Sequence, residues 1–129
     1  MYRIVIIEDD PTIRQLLSKK LSPEGFDCVL MPNATSGLKA CRDHKPDVVL
    51  LDVHLPDQNG IEVCKTLKAD PELRHIPVLI VTGESRGVEK KIEGLDAGAD
   101  DYILKPFSPA ELLRRLQNIV RTGIKPTEN

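Results

Sequence analysis

Several polar side chains in this sequence stand directly after short apolar runs. Glu8 and Asp9 follow Ile4 to Ile7, Asp52 follows Val48 to Leu51, Thr82 follows Val78 to Val81, and Lys105 follows Tyr102 to Leu104. Asp10 extends the first acidic group. If these runs are strands of one sheet, three acidic positions, a hydroxyl and an amine converge on one rim. Carboxylates so placed repel one another. At roughly 4 Å and an effective dielectric near 20, each like-charged contact costs about 4 kcal/mol. Lys105 can offset one charge, and a hard divalent cation can offset the rest. An all-oxygen site with few protein ligands and room for water suits Mg²⁺. The same set suits phosphoryl transfer. A carboxylate attacks phosphorus in line, the metal and Lys105 neutralise the equatorial oxygens, and Thr82 hydrogen-bonds one of them.

Taken singly, each residue has an ordinary explanation. An acid run after a strand is more often a solvated loop or a helix cap, and Asp10, directly before Pro11, fits an N-cap with proline at the first helical position. Thr82 alone reads as a turn residue and Lys105 alone as a surface residue. His54 has no second His or Cys at ligand spacing, so its side chain reads as loop filler. Asp52, closing a wholly apolar run, is harder to dismiss. Joint position at strand ends is what carries the functional reading, because ligands of open α/β sheets bind beyond the carboxyl ends of the strands.

The elements that must position these residues follow from apolar spacing. Ile4 to Ile7 reads as a first strand, and Ile13, Leu16, Leu17 and Leu21 recur at helical period. Cys28 to Met31 is a second, weaker strand, and Asn33 to about Asp43 a short helix that contains Gly37. Val48 to Leu51, apolar throughout, suits a central parallel strand covered on both faces. A loop with Pro56 and Gly60 leads to a helix through Ile61, Cys64 and Leu67. Val78 to Val81 is the fourth strand, Val88, Ile92 and Leu95 mark the fourth helix, and Tyr102 to Leu104 is the fifth strand. Ser108-Pro109-Ala110-Glu111 is a capping-box start to a helix striped by Leu112, Leu113, Leu116, Ile119 and Val120. This βα alternation, five times over, predicts an α/β fold: a doubly wound parallel sheet with helices on both faces. Residues 1–121 form the expected domain, and 122–129, with Gly123 and Pro126, a polar tail or the start of a linker.

Composition narrows the function classes. The chain is 129 residues long, 40% hydrophobic and 29% charged, enough for one domain with a real core. A net charge of -2 gives no basic field for nucleic acid, and 3% aromatic content without Trp gives no base-stacking surface. The apolar run before the first acids is too short for a signal-peptide core, and no run approaches a membrane span. Cys28, Cys41 and Cys64, an odd set without a CxxC pair, suit reduced thiols in a cytoplasmic protein.

The chain resembles the receiver domains of two-component response regulators over about residues 2 to 121. The matching pieces are Ile4-Val-Ile-Ile-Glu-Asp-Asp10, Pro46-Asp-Val-Val-Leu-Leu-Asp52, Leu55-Pro56 leading to Asn59-Gly60, Pro77-Val-Leu-Ile-Val-Thr82, and Gly98-Ala-Asp-Asp-Tyr-Ile-Leu-Lys-Pro-Phe107. The resemblance implies a flavodoxin-like strand order, 2-1-3-4-5, and a phosphorylation-activated switch rather than a conventional enzyme. It implies Asp52 as phosphoacceptor, with Asp9 holding Mg²⁺ directly, Glu8 through water and His54 through its backbone carbonyl. Thr82 would be the switch hydroxyl, Tyr102 the switch aromatic and Lys105 the phosphate-pairing amine, with a cis Lys105-Pro106 bond. A histidine kinase or phosphotransfer protein would donate the phosphoryl group. From Lys90 to Arg121 the sequence resembles receivers of DNA-binding regulators, which dimerise through the face of helix four, strand five and helix five. By that resemblance Lys91 pairs with Glu111, and Asp101 with Arg115, across a two-fold axis, with no direct nucleic-acid contact by this domain. One departure stands out. Position 54 is usually apolar in the family, so His54, beside the acceptor, is expected to alter phosphate lifetime.

Three rivals remain at this stage. A phosphatase with an aspartate nucleophile wants a second Asp where His54 stands. A flavodoxin-like cofactor binder wants a phosphate cradle, not acids, after the first strand. A pseudo-receiver that only docks would not need Glu8, Asp9, Asp52, Thr82 and Lys105 together.

Overall fold

The structure, a computed structural model, describes residues 1–83 and 93–128, with 122–128 described by backbone alone. Strands β1 (Tyr2–Ile7), β2 (Phe26–Met31), β3 (Val48–Asp52), β4 (Val78–Gly83) and β5 (Asp101–Lys105) form one sheet in the order β2-β1-β3-β4-β5. Every neighbouring pair is parallel. Helices α1 (Pro11–Leu21), α2 (Ala34–His44) and α3 (Gly60–Ala69) make crossovers between strands, α5 (Pro109–Glu128) follows β5, and a short 3₁₀ turn lies at Ser22–Glu24. A further helical segment, α4, is described over 93–96. Val88 and Ile92, expected to mark this fourth helix, lie outside the described residues. Leu95 lies within it but is 47% exposed, so it does not belong to a buried stripe.

Strict alternation along the strands divides the apolar residues between two cores. Val5, Ile7, Val49, Leu51, Val78 and Ile80 meet Ala40 and Cys41 of α2 and Ile61, Cys64 and Leu67 of α3. Ile4, Ile6, Val48, Leu50, Leu79 and Val81 meet Leu17 and Leu21 of α1 and Leu112, Leu116 and Val120 of α5. Each fully buried Val, Leu or Ile contributes about 1.5–3 kcal/mol. A strand apolar at every position, such as β3, therefore gains its full burial only between two helical layers.

Local departures from the sequence reading have physical reasons. β2 begins at Phe26 rather than Cys28, because Phe26 is buried and packs near the Tyr2 ring while Asp27 faces out and pairs with Arg3. α2 runs through Gly37 as read from sequence, and because a Cβ there would collide with the Ile7 side chain, the missing side chain lets α2 sit on β1. Leu16 is 47% exposed and flanks the buried face of α1 rather than joining it. The backbone of α5 stays helical to Glu128, past the point where the composition turns polar.

Candidate functional site

Sheet register builds the site. Ile7 pairs with Leu51, so the residues that follow them, Glu8 and Asp52, emerge side by side. Asp52 pairs with Val81, which delivers Thr82 next along β4, and Gly83 pairs with Lys105 at the end of β5. The Lys105-Pro106 bond is cis, as the resemblance implied.

Lys105 Nζ lies 3.1 Å from Asp52 Oδ2 and 3.3 Å from Glu8 Oε1. Glu8 and Asp52 are each only 5% exposed, and buried carboxylates need such a partner. Burial works against the Lys105 charge, but the adjoining Asp52 and Glu8 carboxylates outweigh it and raise its pKa. One cation does not satisfy the acids. Burial above all, with the charge of Asp52 in support, pushes the Glu8 carboxyl up to about 7. Glu8, Asp9 and Asp52 each offer a carboxylate oxygen, all within 4.8 Å of one another. Two are buried and Asp9 is exposed, which leaves one solvent-facing side. A donor set of hard oxygens with an excess of negative charge fits a small divalent cation that keeps some water.

The Asp52 side chain is oriented at both oxygens. His54 N–H donates to Asp52 Oδ1 at 3.1 Å, while Lys105 donates to Oδ2. The His54 side chain is exposed, and the loop behind it closes through a bridge between His54 and Asn59. Thr82 is 1% exposed, and its Oγ1 is a buried polar atom without a hydrogen-bond partner. Leaving such a group unsatisfied costs about 1–3 kcal/mol, which suits a hydroxyl whose partner is a ligand. Asp10 takes the ordinary role read for it, accepting from Thr12 N and Ile13 N at the start of α1.

Tyr102 is half-buried on β5, with the Arg115 guanidinium carbon 6.0 Å from its ring centroid. Arg115 Nη1 reaches both Asp101 oxygens, at 3.0 and 3.1 Å, and Nη2 reaches Glu111 at 3.4 Å. Asp101 and Arg115, expected to pair across a two-fold axis, are thus paired within one chain here. Lys91, the expected partner of Glu111, lies outside the described residues.

Other contributors were given no role in the site from sequence. Arg14 Nη1 donates to the Glu8 carbonyl at 2.7 Å. Asp57 accepts from the first residues of α2. Gly60 packs its backbone against that of Asp52 and Val53. Gly60 stood in a recognised motif, yet the reason for it is a contact eight residues back. The partners of Asp57 lie more than twenty residues away, and no local pattern could have revealed them.

The chain is similar to known proteins over most of its length. Residues 4–117 match the model of the response regulator receiver domain. The chain is 40% identical over 119 residues to the DNA-binding response regulator MtrA of Mycolicibacterium smegmatis, covering 92% of this chain and 50% of that protein. It is 40% identical over 118 residues to the phosphate regulon transcriptional regulatory protein PhoB of Pseudomonas aeruginosa, covering 92% and 51%. The chain therefore spans about half the length of these curated relatives. Among solved structures, a CheY-like response regulator receiver domain protein from Methanospirillum hungatei superimposes with a TM-score of 0.90 at 28% identity, covering 98% of both chains. With a match that runs from β1 into α5, the chain belongs to the response regulator receiver domain family.

Proposed function

We propose that this receiver domain is a phosphorylation-activated switch whose acceptor is Asp52, loaded by a histidine kinase or a phosphotransfer protein. The observation that carries this reading is the pairing of a buried Asp52 with Lys105 beside two further acids. Asp9, Glu8, Asp52 and the His54 carbonyl would hold Mg²⁺, which when bound supplies positive charge against the phosphoryl oxygens. The chain's own groups do the rest. The His54 N–H and Lys105 orient the attacking carboxylate, and Lys105 stays charged to meet the incoming phosphoryl group. Thr82 turns its unpartnered hydroxyl to a phosphoryl oxygen, and Tyr102 follows into the space behind it. Driving such a switch from 1:99 to 99:1 takes about 5.5 kcal/mol of differential stabilisation. A few charge-assisted hydrogen bonds at about 1.5–3 kcal/mol each supply that.

The domain acts on its own aspartate rather than turning over a separate substrate, so it is a switch and not an enzyme in the usual sense. Its output passes through the α4–β5–α5 face, by homodimerisation, with any DNA contact made by other residues. The reading places it in the cytoplasm, where Cys28, Cys41 and Cys64, all free thiols, stay reduced. Among the described residues no helix is long and apolar enough to cross a membrane.

Labelling with acetyl phosphate and Mg²⁺, followed by mass spectrometry, tests the acceptor. Wild type should gain one phosphoryl group and Asp52→Ala none. Equal labelling of both would remove Asp52 from the mechanism, and no labelling of wild type would leave a docking module. A chase of the labelled protein should show a changed lifetime in His54→Met, since the exposed His54 side chain stands beside the phosphoryl group.

A further inference from the structure

We infer that the corner where β2 turns into α2 is a bracket for the metal site, and that Asp57 is the positioning residue that fastens the acceptor loop to it. The inference rests on the reading of Glu8, Asp9, Asp52 and the His54 carbonyl as cation ligands. The first N–H groups of a helix lack intrahelical acceptors. In α2, Asn33 Oδ1 accepts from Ser36 N at 2.8 Å, which is the ordinary cap. A second acceptor comes from far along the chain. Asp57 Oδ1 accepts from Ala34 N at 2.8 Å, and Oδ2 from Thr35 N at 2.9 Å and Thr35 Oγ1 at 2.8 Å. A carboxylate is well suited to that end of a helix, where the backbone dipole is positive. The Ala34 and Thr35 N–H groups hold its pKa down to about 2, so it is ionised throughout the working range.

Asp57 lies in the loop between Asp52 and α3, three residues past His54. The far end of that loop is closed by Gly60 N–H on the Val53 carbonyl at 2.7 Å and by the bridge between His54 and Asn59. The same corner also holds the other arm of the site. Met31 O accepts from Glu8 N at 3.0 Å, and Gly37 of α2 packs on Ile7, the residue before Glu8. The acid loop after β1 and the acceptor loop after β3 are therefore both tied to one structure that contributes no ligand itself. Groups that orient metal ligands commonly change affinity 10–100-fold when removed.

Mg²⁺ titration calorimetry on the full chain tests this, with denaturant unfolding run on the same samples. Asp57→Ala should weaken Mg²⁺ binding about tenfold, and slow acetyl phosphate labelling at limiting Mg²⁺ but not at saturating Mg²⁺. Asp57→Asn, still able to accept hydrogen bonds, should recover part of the affinity, and Thr35→Val, which keeps both backbone donors, should lose least. If Asp57→Ala does not fold, the order of wild type, Thr35→Val and Asp57→Asn carries the test. Lower stability with wild-type Mg²⁺ affinity would make Asp57 a helix cap only and overturn the inference. Asp9→Asn separates the two layers of the reading. If wild type binds Mg²⁺ and Asp9→Asn binds it equally well, the metal-site assignment itself fails; if only Asp9→Asn weakens binding, the bracket alone fails.

Discussion

Burial holds the Glu8 carboxyl at about 7 against an ordinary 4.5, and the charge of Asp52 adds to the effect while the Asp10 N–H and Lys105 oppose it. Between those two values the folded chain keeps a proton that the unfolded chain has released. The contribution of Glu8 to stability is therefore fully present below pH 4.5 and lost as pH rises towards 7. Burying this carboxylate in its charged form is a standing cost, accepted where a cation can relieve it. Binding the cation must displace the proton, so Mg²⁺ affinity should rise about tenfold between pH 6 and pH 8. Calorimetry across that range checks it, with Glu8→Gln as control. A pH slope that survives Glu8→Gln unchanged would show that some other group titrates. This residue-scale result was half legible in the sequence. Acids after β1 are visible in the chain, but which of them is buried against Asp52 is not.

At the scale of elements, the approach of α3 to β3 places Asp52, the proposed acceptor. Asn59 caps α3 by accepting from Ile61 N at 2.7 Å. Gly60, the first residue of the helix, sits so close to the preceding strand end that an added Cβ would overlap the Asp52 carbonyl oxygen and lie 2.8 Å from Val53 Cα. Those neighbours are backbone atoms and cannot rotate away. Gly60→Ala must therefore push α3 off β3 or shift Asp52 itself. The expected loss is about 1–3 kcal/mol of stability, the usual range for overpacking, together with slower labelling of Asp52. Urea unfolding read by far-UV circular dichroism measures the first, and a midpoint equal to wild type would refute it. Gly37 makes the same kind of close approach, to the Ile7 side chain rather than to backbone, and so is the more forgiving position.

At the scale of the whole molecule, the proposed switch makes the β5–α5 face the part whose state a phosphate would change. Arg115 is shared between Asp101 and Glu111 within the chain, and all three are partly exposed. Exposed pairs of this kind are worth only about 0–1 kcal/mol each. Exchanging an internal pair for the same pair across a two-fold axis therefore changes little by itself, and on the proposed reading a phosphate would decide the balance. Light scattering should show a monomer becoming a dimer when beryllofluoride and Mg²⁺ are added, with the shift weakened in Arg115→Ala. One unchanged monomeric mass with and without the phosphate mimic would rule the dimer out.

Local chemistry determined what can be read without coordinates. Apolar runs and helical spacing are properties of neighbouring residues, so the strands, most helices and the parallel order were legible, as were Asp52, Lys105 and the capping roles of Asp10 and Ser108. The tertiary structure decided what depends on distance between segments. Lys105 and Glu8 are ninety-seven positions apart and meet at 3.3 Å. The acid whose pKa rises to about 7 is chosen by burial, and the Asp101–Arg115 pair closes within one chain. Asp57 finds its partners across the β2–α2 corner. Each of these contacts is set by sheet register and helix packing, which no local run of residues encodes.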